Sequence, residues 1–112
     1  MPVHYSISLP NPAAARGSDP SLSFNANGAE AFAEQLQAAL RTTSLFERWR
    51  ASQDEPDEVD PSFGVTDPAA TVSGEQRDLR INLTVITSLP GDVFKQRLRL
   101  LAGHHWELRD VR

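Results

Sequence analysis

The sequence predicts an α+β domain, and three observations carry that expectation. Two stretches, VHYSISL at 3–9 and DLRINLTVIT at 78–87, alternate apolar and polar residues with the period of a half-buried strand. Two others, 29–41 and 88–101, space their apolar residues by threes and fours, the period of an amphipathic helix. The periods succeed one another along the chain, strand then helix in each half. At 112 residues the chain is expected to form one domain, 1–112, around one core.

The elements follow in order. In 3–9, Val3, Tyr5, Ile7 and Leu9 take one face and His4, Ser6 and Ser8 the other. Pro10 and Pro12 end the strand, and 10–20 reads as a Pro-rich loop. SLSF at 21–24 alternates Leu22 and Phe24, which suggests an extra short strand. Asn25 or Asn27 is placed to cap the first helix, whose stripe is Phe32, Leu36, Ala39, Leu40 and Thr43. Ser44-Leu45-Phe46-Glu47 fits a capping box and predicts a short helix over 45–51, anchored by Leu45, Phe46 and Trp49. Prolines and like charges exclude a regular element from the acidic loop 53–68, where Val59, Phe63 and Val65 are candidates to pin it.

A hairpin follows. ATVSGE is its weaker strand, and 78–87 its stronger one, with Leu79, Ile81, Leu83 and Val85 on the core face and Arg80, Asn82 and Thr84 outside. Ser88 is expected to cap the second main helix, with Pro90 in its first turn, Val93, Phe94, Leu98 and Leu101 as its stripe, and Gly103 just past its end. The last strand, 104–111, sets Trp106 and Leu108 against His105, Glu107 and Arg109. Without the uncertain pieces the order is βαββαβ. That order folds as a ferredoxin-like arrangement: an antiparallel four-stranded sheet, strand order 4-1-3-2, with both helices on one face. An α+β sandwich that includes 21–24 is the alternative.

Composition narrows the function. No cysteine is present, which removes disulfides, thiolate metal sites and cysteine nucleophiles together. No apolar run reaches the roughly 20 residues of a membrane span. The N-terminus lacks the basic and apolar regions of a secretory signal, so a cytoplasmic protein is expected. Ten Arg against one Lys is typical of GC-rich coding and points to a bacterial source. The net charge of −4 is unevenly spread. Residues 54–75 hold seven acids and no base, while 76–112 hold seven bases and four acids, a net of +3. Such asymmetry marks candidate interaction surfaces.

Two surfaces stand out. One is the sheet face left free by the helices, where His4, Arg80, His105, Glu107 and Arg109 would gather. The other is the run Asp54, Glu55, Asp57, Glu58 and Asp60, suited to a partner with a basic surface. His4, His105 and Glu107 would offer three N/O ligands only if the first and last strands adjoin; no fixed ligand spacing such as HExxH occurs, so neither metal nor cofactor is expected. GxSxG, P-loop and dinucleotide fingerprints are absent, and no catalytic residue is assigned. The expected function is a small non-catalytic binding or adaptor protein, like a secretion or assembly chaperone or an inhibitor. An edge strand would also offer a route to a homodimer. The alternative is a nucleic-acid-binding module on the free face. It lacks the exposed aromatics that stack bases, and the net charge is negative.

Overall fold

Alternation translates directly into the sheet. The computed structural model describes residues 2–17, 19, 22–25 and 28–112. Strand β1 (Val3–Leu9) buries Tyr5, Ile7 and Leu9. β2 (Thr71–Arg77) and β3 (Arg80–Thr87) form the hairpin, and β4 (Glu107–Val111) closes the sheet. The four strands lie in the order β2-β3-β1-β4, with every neighbouring pair antiparallel. Read from the β4 edge this is 4-1-3-2, so the α+β class and the ferredoxin-like order both hold. β3 alternates as expected, with Ile81, Leu83 and Val85 buried. Leu79 does not join them. It lies in the hairpin turn beside Asp78, whose φ is +54°, and is 86% exposed.

The helices cover one face. α1 (Ala29–Arg41) buries Phe32, Leu36, Ala39 and Leu40, but Thr43 lies past its end and is exposed. Gly28, at φ +92°, occupies its N-cap position with no side-chain cap. Asn25 instead exchanges bonds with Gln35, and Asn27 lies outside the described residues. α2 (Ser44–Ala51) forms where expected and buries Leu45 and Phe46, but Thr43 stands at its N-cap and the capping box is not made. α3 (Gly91–Ala102) starts after Pro90 rather than at Ser88, because the Ser88 N–H is committed to Asp67. Gly103 follows it at φ +64°, as its place past the helix end suggested.

The segment predicted as a strand at 21–24 is not one over 22–24, and Ser21 lies outside the described residues. Leu22 and Phe24 are buried, but the backbone serves the end of α3. The Leu101 carbonyl accepts the Gly17 N–H at 3.2 Å, the Phe24 N–H at 2.9 Å and the Ser23 hydroxyl at 3.2 Å. Apolar alternation there reports burial against a helix end, not pairing in a sheet.

The acidic loop also has more structure than its composition suggests. Pro56–Glu58 and Pro61–Gly64 are 3₁₀ turns, each opened by a proline whose fixed φ suits a first helical position. Phe63 packs on the core, while Val65 is 41% exposed and does not pin the loop by its side chain.

Candidate functional site

The uncovered face is defined by register. Across β1–β3, Ser6 faces Thr84 and Ser8 faces Asn82; across β2–β3, Ser73 faces Thr84, Glu75 faces Asn82 and Arg77 faces Arg80. Residues paired across strands share a face, so these belong with His4, Ser6 and Ser8 on the side away from the helices. β4 adds Glu107 opposite Ser8 and Asp110 opposite Ser6. Arg112 lies beyond β4 opposite His4, with which it exchanges both backbone bonds, at 2.9 and 2.8 Å.

β4 departs from regular alternation. Between Ser6 and Ile7 the register shifts, so the two β1 residues Tyr5 and Ile7 face Val111 and Leu108, three apart. The extra residue is Arg109, a β-bulge. This bulge and the late start of the strand revise the expectation for 104–111. Trp106 is half-buried and donates its indole N–H to the Gly103 carbonyl at 2.9 Å, while Leu108 is 38% exposed.

His105 leaves the sheet face altogether. It precedes β4 and lines a cleft with Arg16, Gly17, Arg99, Gly103 and His104 at the end of α3. β1 and β4 are indeed neighbours, but His4 stands opposite Arg112 while His105 lies beyond the Ser8–Glu107 pair. Six residues of strand separate the two positions, roughly 20 Å. Among the described residues no carboxylate bonds to His4, His104 or His105, and no group of three or more His, Asp or Glu could hold a metal.

The face's charges mostly neutralise one another. Arg77 pairs with Glu75 at 2.8 Å, Arg109 with Glu107 at 3.3 Å and Arg112 with Asp110 at 2.6 Å. Arg80 is different. It lies directly across from the like-charged Arg77, and its Nη1 donates only to the Ser8 hydroxyl, at 3.4 Å. No carboxylate pairs with it among the described residues. Around it the surface is short and polar, and among the described residues no aromatic side chain rises from the face; Tyr5 stacks on Phe94 at 4.4 Å on the helix side.

The acidic residues form a separate surface on the helix side. Asp54, Glu55, Asp57, Glu58 and Asp60 are all exposed. Asp57 approaches Arg50 at 3.7 Å, and Asp60 accepts the Ser62 N–H at 2.9 Å, which lowers its pKa.

Two charged groups that carry much of the local structure escaped the sequence reading. Asp67 is buried and accepts the Thr87 hydroxyl and the Ser88 N–H, both at 2.8 Å, and the Ala69 N–H at 3.1 Å. The Ser88 N–H holds its carboxyl below the ordinary 3.8, against the pull of burial, with Thr87 and Ala69 adding to the effect. Arg97 is 1% exposed, and its guanidinium donates to the carbonyls of Ala39, Phe63 and Val65. Burial lowers its pKa. The signal for Arg97 was its spacing: it sits three residues after Phe94 on the apolar stripe. The signal for Asp67 was Asp-Pro-Ala, an Asx-type turn in which the carboxylate binds the N–H two residues on.

Fold and face together define a small α+β protein with one open, polar sheet face. Comparison with protein-family models, characterised proteins and solved structures finds no match to this chain. Among the described residues no helix is long and apolar enough to cross a membrane.

Proposed function

We propose that this chain is a non-catalytic protein-binding module, of adaptor or assembly-chaperone type, that seats a partner on its uncovered sheet face. The observation that supports this reading most is Arg80. It is an exposed guanidinium without a carboxylate, set among Ser8, Asn82 and Thr84 on a surface that offers little steric obstruction. An acidic side chain of a partner would gain a charge-assisted, bidentate contact there and relieve the Arg77–Arg80 repulsion. The separation of His4 from His105 takes apart the three-ligand set that adjoining first and last strands would have offered a metal.

The test is affinity purification from the native host with two variants. Arg80→Glu is expected to lose the partners that wild type retains. Reversing Asp54, Glu55, Asp57, Glu58 and Asp60 is expected to keep them. The opposite pattern would make the acidic loop the docking surface, for a basic partner. Nucleic acid has weaker support, since among the described residues the face carries three carboxylates and no aromatic. Salt-sensitive binding of a single-stranded oligonucleotide, lost in Arg80→Glu, would replace the protein-binding reading with that one.

A further inference from the structure

The two edges of the sheet are treated differently. On the β2 edge α1 covers the backbone where the strand begins: Gln37 Oε1 accepts the Val72 N–H at 3.0 Å, and the Arg41 Nε–H reaches the Ala70 carbonyl at 2.7 Å. On the β4 edge, Glu107, Leu108, Arg109, Val111 and Arg112 are all exposed. The outward backbone groups there follow from the ladder. His4 and Arg112 exchange both bonds, so Tyr5–Val111 and Ile7–Leu108 are the wide pairs, and the N–H and C=O of Val111 and Leu108 point away from β1. The one local cover is Asp110, whose Oδ1 accepts the Val111 N–H at 3.0 Å.

The sequence of this edge, Glu-Leu-Arg-Asp-Val-Arg over 107–112, is its own charge complement when reversed. Laid antiparallel on a second copy with Arg109 opposite Asp110, Glu107 falls opposite Arg112 and Leu108 opposite Val111. A regular strand could not use this match. Its side chains alternate, so Leu108 and Val111 would lie on opposite faces, and a two-fold axis through the sheet keeps each residue on its own face. The bulge at Arg109 removes the obstacle. Leu108 and Val111 now share the helix side, facing Ile7 and Tyr5, while Glu107 and Arg112 share the open side, facing Ser8 and His4.

We propose that a second copy of this chain docks on β4, pairing the two β4 strands antiparallel about a two-fold axis at the bulge and joining both sheets into one. Leu108 and Val111 of each copy exchange the outward backbone bonds and pack as cross-strand pairs. Glu107, Arg109, Asp110 and Arg112 form a charge network in which every facing pair is of opposite sign. The Asp110 carboxylate leaves the Val111 N–H and takes the other copy's Arg109. The bulge favours a copy over an unrelated strand: two residues of a regular edge would meet three here, whereas a second β4 carries the same extra residue. The inference does not depend on what binds the open face, since Arg80 lies on β3, two strands in from this edge.

The test is solution mass by sedimentation equilibrium over a concentration series reaching about 100 µM. Wild type is expected to approach twice its 12.4 kDa. Arg109→Glu/Arg112→Glu makes the edge wholly acidic, and Glu107→Lys/Asp110→Lys makes it wholly basic. Each is expected to stay monomeric alone, and an equimolar mixture to recover the double mass. Amide exchange on wild type gives a second readout, with protection at Leu108 and Val111 that rises with concentration. A wild type that remains at monomer mass, or like-charged variants that associate as wild type does, overturns the proposal. Arg80→Glu should leave the mass unchanged, so this result and the partner assay fail separately.

Discussion

Asp67 ties the end of the acidic loop to the junction of β3 and α3, through Thr87 and Ser88, 20 and 21 residues on in sequence. Asp67→Ala would leave the buried Thr87 hydroxyl and the part-buried Ser88 N–H without their acceptor, and is expected to lower stability by about 1–3 kcal/mol in urea unfolding. The same group sets a pH dependence. Its pKa is lower folded than unfolded, so its contribution is complete above the ordinary 3.8 and is lost as pH falls through the folded value. In Asp67→Asn that acid-side loss should shrink. An undiminished loss would place the acid sensitivity elsewhere.

Residues whose role follows from local pattern were readable: Tyr5, Ile7, Leu83 and Phe94 are core residues because period alone assigns their face. Asp67 and Arg97 were not, because composition counts a charge as surface, and the local signals, a stripe position and an Asx turn, do not name the tertiary acceptors and donors that hold them inside. Arg97 is the sharper case. A guanidinium satisfied by backbone carbonyls needs no acidic partner, so no complementary residue in the sequence advertises it.

At the scale of elements, the strands and helices were legible where one face meets the core, and their ends were not. Gly28, Thr43 and Pro90 stand at the N-cap positions of α1, α2 and α3, and none offers a side-chain bond to the backbone. Tertiary bonds decided those ends instead, as when Asp67 claims the Ser88 N–H. β2 reads as the weaker strand of the hairpin, and Gly74 within it has a packing reason. A Cβ there would lie 2.4 Å from the Ala29 carbonyl oxygen at the start of α1, so only glycine lets the helix approach this strand. Gly74→Ala is expected to cost about 1–3 kcal/mol by thermal or chemical unfolding. A neutral result would mean that α1 can lift from β2 freely. The bulge in β4 could not be read from spacing either, since an inserted residue leaves the pattern of types unchanged while moving the faces.

For the whole molecule, the candidate site was half legible. His4, Arg80 and Glu107 lie on the predicted face, Arg109 reaches it from the bulge, and His105 belongs to the cleft at the end of α3. The mistaken element was the assumption that the last strand runs regularly from 104, which would have carried His105 onto the face. The acidic loop and the face lie on opposite sides of the sheet, so a partner that needs both would have to wrap around the domain. A compact partner can use only one, and the two charge variants distinguish which.

The cover that Gln37 and Arg41 place on the start of β2 has a consequence for how far this protein can grow. In the terms of polymer chemistry, a sheet with two open edges is a bifunctional monomer and can propagate into a fibre. This one has an open end at β4 and an end at β2 that α1 covers in part. Whatever strand joins it at β4, the other end is covered from within the chain at Ala70 and Val72, which hinders a second addition there. Replacing Gln37 and Arg41 by alanine together should uncover the start of that edge, and light scattering is expected to register larger species than wild type forms at the same concentration.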